Sequence, residues 1–204
     1  MAEAFDRPVT GFRAGPDSRT VFLTVEEHGR DKVFSLTLPD GAPRPLSPGG
    51  AGVYSGIDVG DAAAAPVVAA NWMAMPSPPE VVRTGPQSGG HAVLTGFTKA
   101  DAADLDWQPP REFWFTARNG RRIHSCVVLP PAFDANKKYR LPVFMHGGPH
   151  QAWKDQWFTR WNYHLPASPG YVVLMTNSPR ASPSISLRDR EVSSQEREDR
   201  ITVA

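Results

Sequence analysis

The chain has a single cysteine, Cys126, and that scarcity excludes an internal disulfide and any zinc site built on several thiolates. Flanked by Ser125 and Val127 in an apolar run, Cys126 is expected to be a buried structural thiol rather than a nucleophile. An excess of either charge is also missing: 22 Lys and Arg face 21 Asp and Glu, a net +1. Such a balance argues against a nucleic-acid partner and against an anionic membrane surface. No stretch approaches the roughly 18–20 consecutive apolar residues of a membrane span. The opening run Met1-Ala2-Glu3-Ala4-Phe5-Asp6-Arg7 carries acidic residues and no apolar centre, so it does not read as a signal peptide, and cytoplasmic residence is expected.

Turn formers, by contrast, are abundant. With 21 Pro and 17 Gly, the chain suits many short strands better than long helices. Its first half reads as two copies of one rhythm. Residues 20–24 and 32–38 are predicted strands, the second alternating Val33, Ser35 and Thr37 against Phe34, Leu36 and Leu38. The turn Pro39-Asp40-Gly41 and residues 44–47 follow. Roughly 47–48 residues later the pattern recurs at 66–71, 80–83 and 93–96. A period in the forties, with several strands per unit, is the signature of β-propeller blades. Residues 1–97 are therefore expected to form about two blades, too few to close a ring; a sandwich-like β-domain is the alternative. Asp17-Ser18-Arg19 stands where a blade-opening turn belongs.

Residues 98–112 read as a linker, after which the pattern changes. Residues 113–117 and 123–129 are predicted strands joined across Asn119-Gly120, a strong hairpin signal. The runs 141–145 and 171–175 are continuously apolar, as in a sheet covered on both faces, and 171–175 is expected to be its unpaired edge. Between them, Trp153, Trp157, Trp161 and Leu165 recur at a spacing of four, which predicts a helix over 151–165 with these residues along one face. Strand, glycine loop, helix and strand make a crossover and imply a parallel sheet. Residues 178–204 lack apolar periodicity, are dense in Ser, Arg and Glu, and are expected to be a disordered tail.

His146-Gly147-Gly148-Pro149 sits directly behind the run 141–145. A strand running into such a loop can supply half of an oxyanion hole, because glycines let backbone N–H groups turn toward a developing negative charge. The companions of that loop in an α/β-hydrolase are a Gly-x-Ser-x-Gly elbow, then an acid, then a histidine. No such elbow occurs; Ser55 and Ser88 precede a glycine but lack one two residues before. The hairpin 113–124, the run 138–150, Trp157 to Trp161 and residues 170–174, in that order, resemble the prolyl oligopeptidase family of serine peptidases, of the dipeptidyl aminopeptidase and acylaminoacyl-peptidase type. Upstream, Pro79-Glu80-Val81 and Leu94-Thr95-Gly96-Phe97 extend the resemblance, which covers residues 5–177.

The resemblance implies a mixed fold: an incomplete β-propeller followed by the N-terminal part of an α/β-hydrolase domain over 113–177. It implies hydrolysis of short peptides through an acyl-enzyme, with serine, histidine and aspartate in the usual roles and no metal or organic cofactor. Only His146, Gly147, Gly148 and Pro149 carry over, as the oxyanion loop; the catalytic triad is absent, so the chain is expected to be inactive alone. After Asn177 the family's Arg-Gly-Ser-Thr-Gly-Tyr-Gly-like segment gives way to Ser178-Pro179-Arg180-Ala181-Ser182, a change that a shifted reading frame would explain. The alternative is a non-catalytic binding module, or half of a split enzyme whose C-terminal half is separately encoded. Among the remaining candidates, His146 is read as loop packing rather than a general base, and His124 as a packed or edge residue. His28 and His91 fall in predicted turns, and His150 and His164 lack metal-ligand companions. The tryptophan stripe reads as core, Asp155 as a solvated helix face, and Ser125 and Ser168 as ordinary serines.

Overall fold

The alternation along residues 20–38 becomes paired strands in the computed structural model, which describes residues 5, 7–47, 49–60, 66–85, 90–118, 120–147 and 151–177. The predicted disordered tail, 178–204, lies outside the described residues. The chain divides into two units: Met1–Leu105 together with Lys154–Trp157, and Asp106–Trp153 together with Phe158–Ala204.

In the first unit, β1 (Val9–Ala14), β2 (Thr20–Glu27), β3 (Arg30–Thr37) and β4 (Arg44–Pro45) lie side by side in chain order. So do β5 (Val53–Gly60), β6 (Val67–Ala74), β7 (Ser77–Gly85) and β8 (Gly90–Val93), and both sheets are antiparallel. The β2–β3 turn is His28-Gly29, whose φ values of 50° and 73° are the left-handed pair that a type I′ hairpin requires. Asp17 builds the β1–β2 turn, accepting from the Thr20 hydroxyl at 2.7 Å and from the N–H groups of Thr20 and Arg19 at 2.8 and 3.0 Å. These bonds, those from Thr20 foremost, hold its carboxyl down at about 2.

Period two then partitions the core. Phe22 of β2 and Val33 of β3 pack with Leu46 and with Tyr54, Ile57, Val68, Ala70 and Val82 of the second sheet. Leu23 and Val25 point to the other face, where they join Phe34 and Phe5. Val25, Val33 and Val82 are wholly buried, and each such side chain contributes roughly 1.5–3 kcal/mol.

Beyond β8 the chain is strapped back onto β7 by Glu80. Its carboxylate accepts from the hydroxyl of Thr95, the N–H of Phe97 (3.2 Å), and the N–H and hydroxyl of Thr98 (3.0 and 2.9 Å). Thr95 Oγ1 accepts in turn from the Val81 N–H at 2.9 Å. A four-residue helix, α1 (Lys99–Ala102), follows, so the predicted linker holds one helical turn.

The tetrapeptide Lys154–Trp157 also belongs to this unit. Asp155 is buried; its Oδ2 accepts from the Gly52 N–H at 2.7 Å, its Oδ1 from the Met75 N–H at 2.8 Å, and its own N–H donates to the Gly29 carbonyl at 2.8 Å. Lys154 Nζ lies 2.8 Å from Glu26 and 3.0 Å from Asp31. Burial works to push that ammonium down, but the bonds to the two carboxylates outweigh it and hold Lys154 above its ordinary value.

The second unit contains β9 (Arg111–Thr116), β10 (Arg122–Val128), β11 (Val143–Phe144), α2 (His164–Ala167) and β12 (Val173–Thr176). Its sheet runs β11-β12-β10-β9, with β11 parallel to β12 and the other pairs antiparallel. The β9–β10 hairpin closes at Gly120 (φ 77°), with the Gly120 N–H on the Ala117 carbonyl and the Ala117 N–H on the Arg121 carbonyl, both at 2.9 Å. Asn119 lies outside the described residues.

The run 171–175 is not an edge: β12 pairs on both sides, and Val173 and Met175 are fully buried. Among the described residues, the edge on that side of the sheet is β11, shortened to two residues, and Leu141, Val143 and Met145 around it are 53%, 47% and 82% exposed. The predicted helix over 151–165 is also absent; only His164–Ala167 is α-helical. The backbone donors that would close its first turns are committed elsewhere, Asp155 N–H to Gly29 O and Gln156 N–H to Lys154 O, both at 2.8 Å. Asp155 is accordingly not a solvated helix face.

Candidate functional site

The C-terminal ends of the parallel pair β11 and β12 lie side by side, and both release chain that carries polar groups. From β11 emerges Met145-His146-Gly147; Gly148, Pro149 and His150 lie outside the described residues. Gly147 has open space where a Cβ would stand, so its backbone is sterically uncrowded. The half-buried His146 ring meets Trp153 edge-on at 6.3 Å.

Trp153 ties down both feet of this loop. Its indole Nε1–H donates to the Phe144 carbonyl at 3.1 Å, where the loop leaves β11. Its main-chain N–H donates to Asn177 Oδ1 at 2.6 Å, where the chain leaves β12. The indole is held in an aromatic cluster, with Tyr163 at 5.8 Å and Phe144 at 6.3 Å, while Phe158 stands against Tyr163 at 6.1 Å. Tyr163 is completely buried.

Asn177 is the junction of the site. Its N–H donates to the His124 carbonyl at 3.2 Å, extending the β10–β12 ladder, and its Nδ2 lies 3.4 Å from His124 Nδ1. The other ring nitrogen of His124 is 3.3 Å from Glu112 Oε2, and the ring rests 4.9 Å from Trp114. His124 is thus a packed residue, as its place in a strand suggested. Sequence reasoning missed Asn177, Trp153 in this role, and Glu112. The one available signal was register: once β9 and β10 are paired, Trp114 is opposite His124 and Glu112 is its diagonal neighbour.

Ser125 is fully buried, its hydroxyl donating to Thr176 Oγ1 at 2.9 Å, and Cys126 beside it is buried as expected. His164 donates through Nε2 to the Gln108 carbonyl at 2.9 Å, and burial pushes its pKa down. His28 is in a turn as read, but His91 is in strand β8, where its Nδ1 lies 2.5 Å from the Tyr54 hydroxyl. Burial pushes that phenol up to about 12, so it stays protonated and donates. Among the described residues, no group of three or more His, Cys, Asp or Glu side chains could hold a metal ion, and no helix is long and apolar enough to cross a membrane.

No protein-family model matches the chain. It is 31% identical over 185 residues to dipeptidyl-peptidase 5 of Aspergillus fumigatus, an alignment covering 87% of this chain and 24% of that one. To dipeptidyl-peptidase 5 of Porphyromonas gingivalis it is 28% identical over 173 residues, covering 85% and 25%. Among solved structures, the acylaminoacyl peptidase of Pyrococcus horikoshii superposes with a TM-score of 0.70 at 21% identity, over 86% of this chain and 26% of that one. The chain spans about a quarter of the length of the curated relatives it matches.

Proposed function

Given that this chain belongs to the prolyl oligopeptidase family of peptidases, we propose that it is a segment of a serine-type peptidase acting on short peptides, of the dipeptidyl or acylaminoacyl kind. On this reading the two four-stranded sheets of the first unit are two propeller blades, and β9–β12 begin an α/β-hydrolase domain. One observation carries the proposal. The loop opened by His146 and Gly147 leaves the end of a strand in a β11-β12-β10-β9 sheet, anchored at both feet by Trp153 and open at Gly147. That is where backbone donors for a tetrahedral oxyanion are needed. Gly148 and Pro149 complete the loop by sequence.

The chain supplies no elbow serine, so it presents a place for negative charge without the group that generates it. It is expected to hydrolyse no aminoacyl or acylaminoacyl chromogenic substrate above buffer, and to take no label from a serine-directed fluorophosphonate. Turnover that the fluorophosphonate abolishes would refute the proposal. The segment after Asn177 is proposed to be out of frame with the family pattern. Sequencing the gene tests this, and finding no alternative frame that restores the pattern would remove that explanation.

A second reading, half of a split enzyme, is favoured by the exposed Leu141, Val143 and Met145 around the edge strand β11, a surface suited to receiving a further strand. Its partner would be a separately encoded polypeptide bearing the elbow serine, the acid and the histidine. Mixing the two chains should then restore hydrolysis; no recovery with a folded partner counts against it.

A further inference from the structure

We infer that His124 is a positioning residue for the loop between Phe144 and Trp153: held as its neutral Nε2–H tautomer, it orients the Asn177 carboxamide that fixes the loop's C-terminal foot. The Trp153 main-chain N–H can only donate, and it lies 2.6 Å from the Asn177 side chain, so the carboxamide oxygen faces it. The NH2 is therefore the group 3.4 Å from His124 Nδ1. An NH2 also only donates, which obliges Nδ1 to carry a lone pair. The ring proton then sits on Nε2, directed at Glu112 Oε2 at 3.3 Å, and a carboxylate accepts it.

Glu112, His124, Asn177 and Trp153 thus form one hydrogen-bond chain with a single polarity, running from β9 through β10 to the end of β12 and on to the loop. Flipping the Asn177 carboxamide, or moving the His124 ring proton to Nδ1, sets two donors or two acceptors against each other. His124 and Asn177 are both more than nine-tenths buried, so water cannot cheaply repair a mismatch. Around His124, β9 contributes Glu112 and the Trp114 ring, which in turn carries the Arg122 guanidinium 5.3 Å from its centroid, and the end of β12 contributes Asn177.

The functional consequence rests on the loop's proposed role in binding an oxyanion, because backbone donors serve only if they are fixed in advance. The hydrogen-bond chain itself does not rest on that role, and it is read without substrate. In the uniformly ¹⁵N-labelled full chain, long-range imidazole correlations should show His124 Nδ1 unprotonated and Nε2 protonated. Two isosteric variants separate the nitrogens: H124N keeps an acceptor where Nδ1 stands, and H124Q keeps a donor where Nε2 stands. Exchange of the Trp153 amide hydrogen should stay near wild type in H124N and rise roughly tenfold in H124Q, the loss of one buried hydrogen bond. A residue that merely filled space would give the opposite order, since glutamine is closer to histidine in volume. In N177D, a carboxylate oxygen replaces the NH2 and His124 Nδ1 should become protonated. A protonated Nδ1 in the wild type, equal or better Trp153 protection in H124Q, or an unprotonated Nδ1 in N177D each overturns the inference. The first measurement needs no variant to fold. A positive result here with hydrolysis by the unmodified chain would sink the function proposed above and leave this inference standing.

Discussion

Removing the Asp155 carboxylate should cost the first unit a large part of its stability, and the structure says how much. Two backbone donors, Gly52 N–H and Met75 N–H, end on its two oxygens at 2.7 and 2.8 Å. The side chain is buried, so neither donor has bulk water as an alternative. A hydrogen bond to a charged acceptor is worth about 1.5–3 kcal/mol, and an orphaned buried donor costs a similar amount. Asp155→Ala vacates enough space for one water, whose two lone pairs could serve both donors in part, so the expected loss is about 3 kcal/mol. Asp155→Asn is the sharper test because it leaves no such space. Its carbonyl oxygen serves one N–H while its NH2 opposes the other, which predicts a loss of about 2–3 kcal/mol in a side chain of unchanged shape. Against a total stability of roughly 5–15 kcal/mol, either loss moves a urea midpoint plainly, with the slope m unchanged. Amide exchange at Gly52 and Met75 should accelerate in the same variants. If D155N unfolds within 0.5 kcal/mol of wild type (about the range of neutral surface substitutions), and the Gly52 and Met75 amides keep their protection, the carboxylate is not what holds this segment.

Three further outcomes follow from single residues. Glu80, held down at about 2 from 4.5 first by the Thr95 hydroxyl and the Thr98 N–H, gives stability that is complete above 4.5 and lost as pH falls toward 2, because the unfolded chain binds the proton first. The stability gap between wild type and E80Q should be constant above pH 5 (about half a unit past the ordinary carboxylate range) and should close in that acid window; a gap independent of pH refutes it. Gly52→Ala should destabilise by at least about 2 kcal/mol in urea melts, since φ is +93° and the new Cβ would fall 2.5 Å from the Met73 carbonyl oxygen. Gly147→Ala, whose Cβ meets nothing within 4 Å, should change stability by no more than about 0.5 kcal/mol, and a larger loss would show that the loop is more crowded than described.

What could be read from the sequence divides along physical lines. Strands whose two faces differ announced themselves: β2 and β3 alternate, and the Asn119-Gly120 turn placed the β9–β10 hairpin. β1 and β5 went unread for opposite reasons. Most of β1 is exposed, so its residues carry no apolar rhythm. In β5 the register shifts between Ser55 and Asp58, with Gly56 at φ 55°, and this breaks the period of two. The spacing of Trp153, Trp157 and Trp161 satisfied a helix in one dimension, but helices need their backbone donors, and a partner 126 residues away in sequence, the Gly29 carbonyl, took that of Asp155. The loop residues were named from sequence; the groups that hold the loop were not. Asn177 and His124 are 53 residues apart and become neighbours only through strand pairing.

On the proposed reading, fixing the donors and generating the charge are separate achievements, and their magnitudes predict that the first alone gives no signal in an assay. One oxyanion-hole donor is worth about 2.7–4 kcal/mol, or 10²–10³ in rate, and the second donor of such a hole comes from the residue after the nucleophile. Accelerations of peptide-bond chemistry sufficient for turnover draw on roughly 8–23 kcal/mol, most of it inaccessible without an attacking group and a base beside it. A loop fixed by Trp153, Asn177 and His124 therefore lowers the barrier only for an attack that something else begins. That makes a designed rescue informative. A partner polypeptide supplying serine, acid and histidine should gain rate from wild-type β9–β12 and lose it with H124Q, while KM changes little, because positioned donors act on the transition state rather than on bound substrate. If H124Q instead raised KM and left kcat alone, the chain from Glu112 to Trp153 would be shaping the peptide's seat, not the oxyanion's.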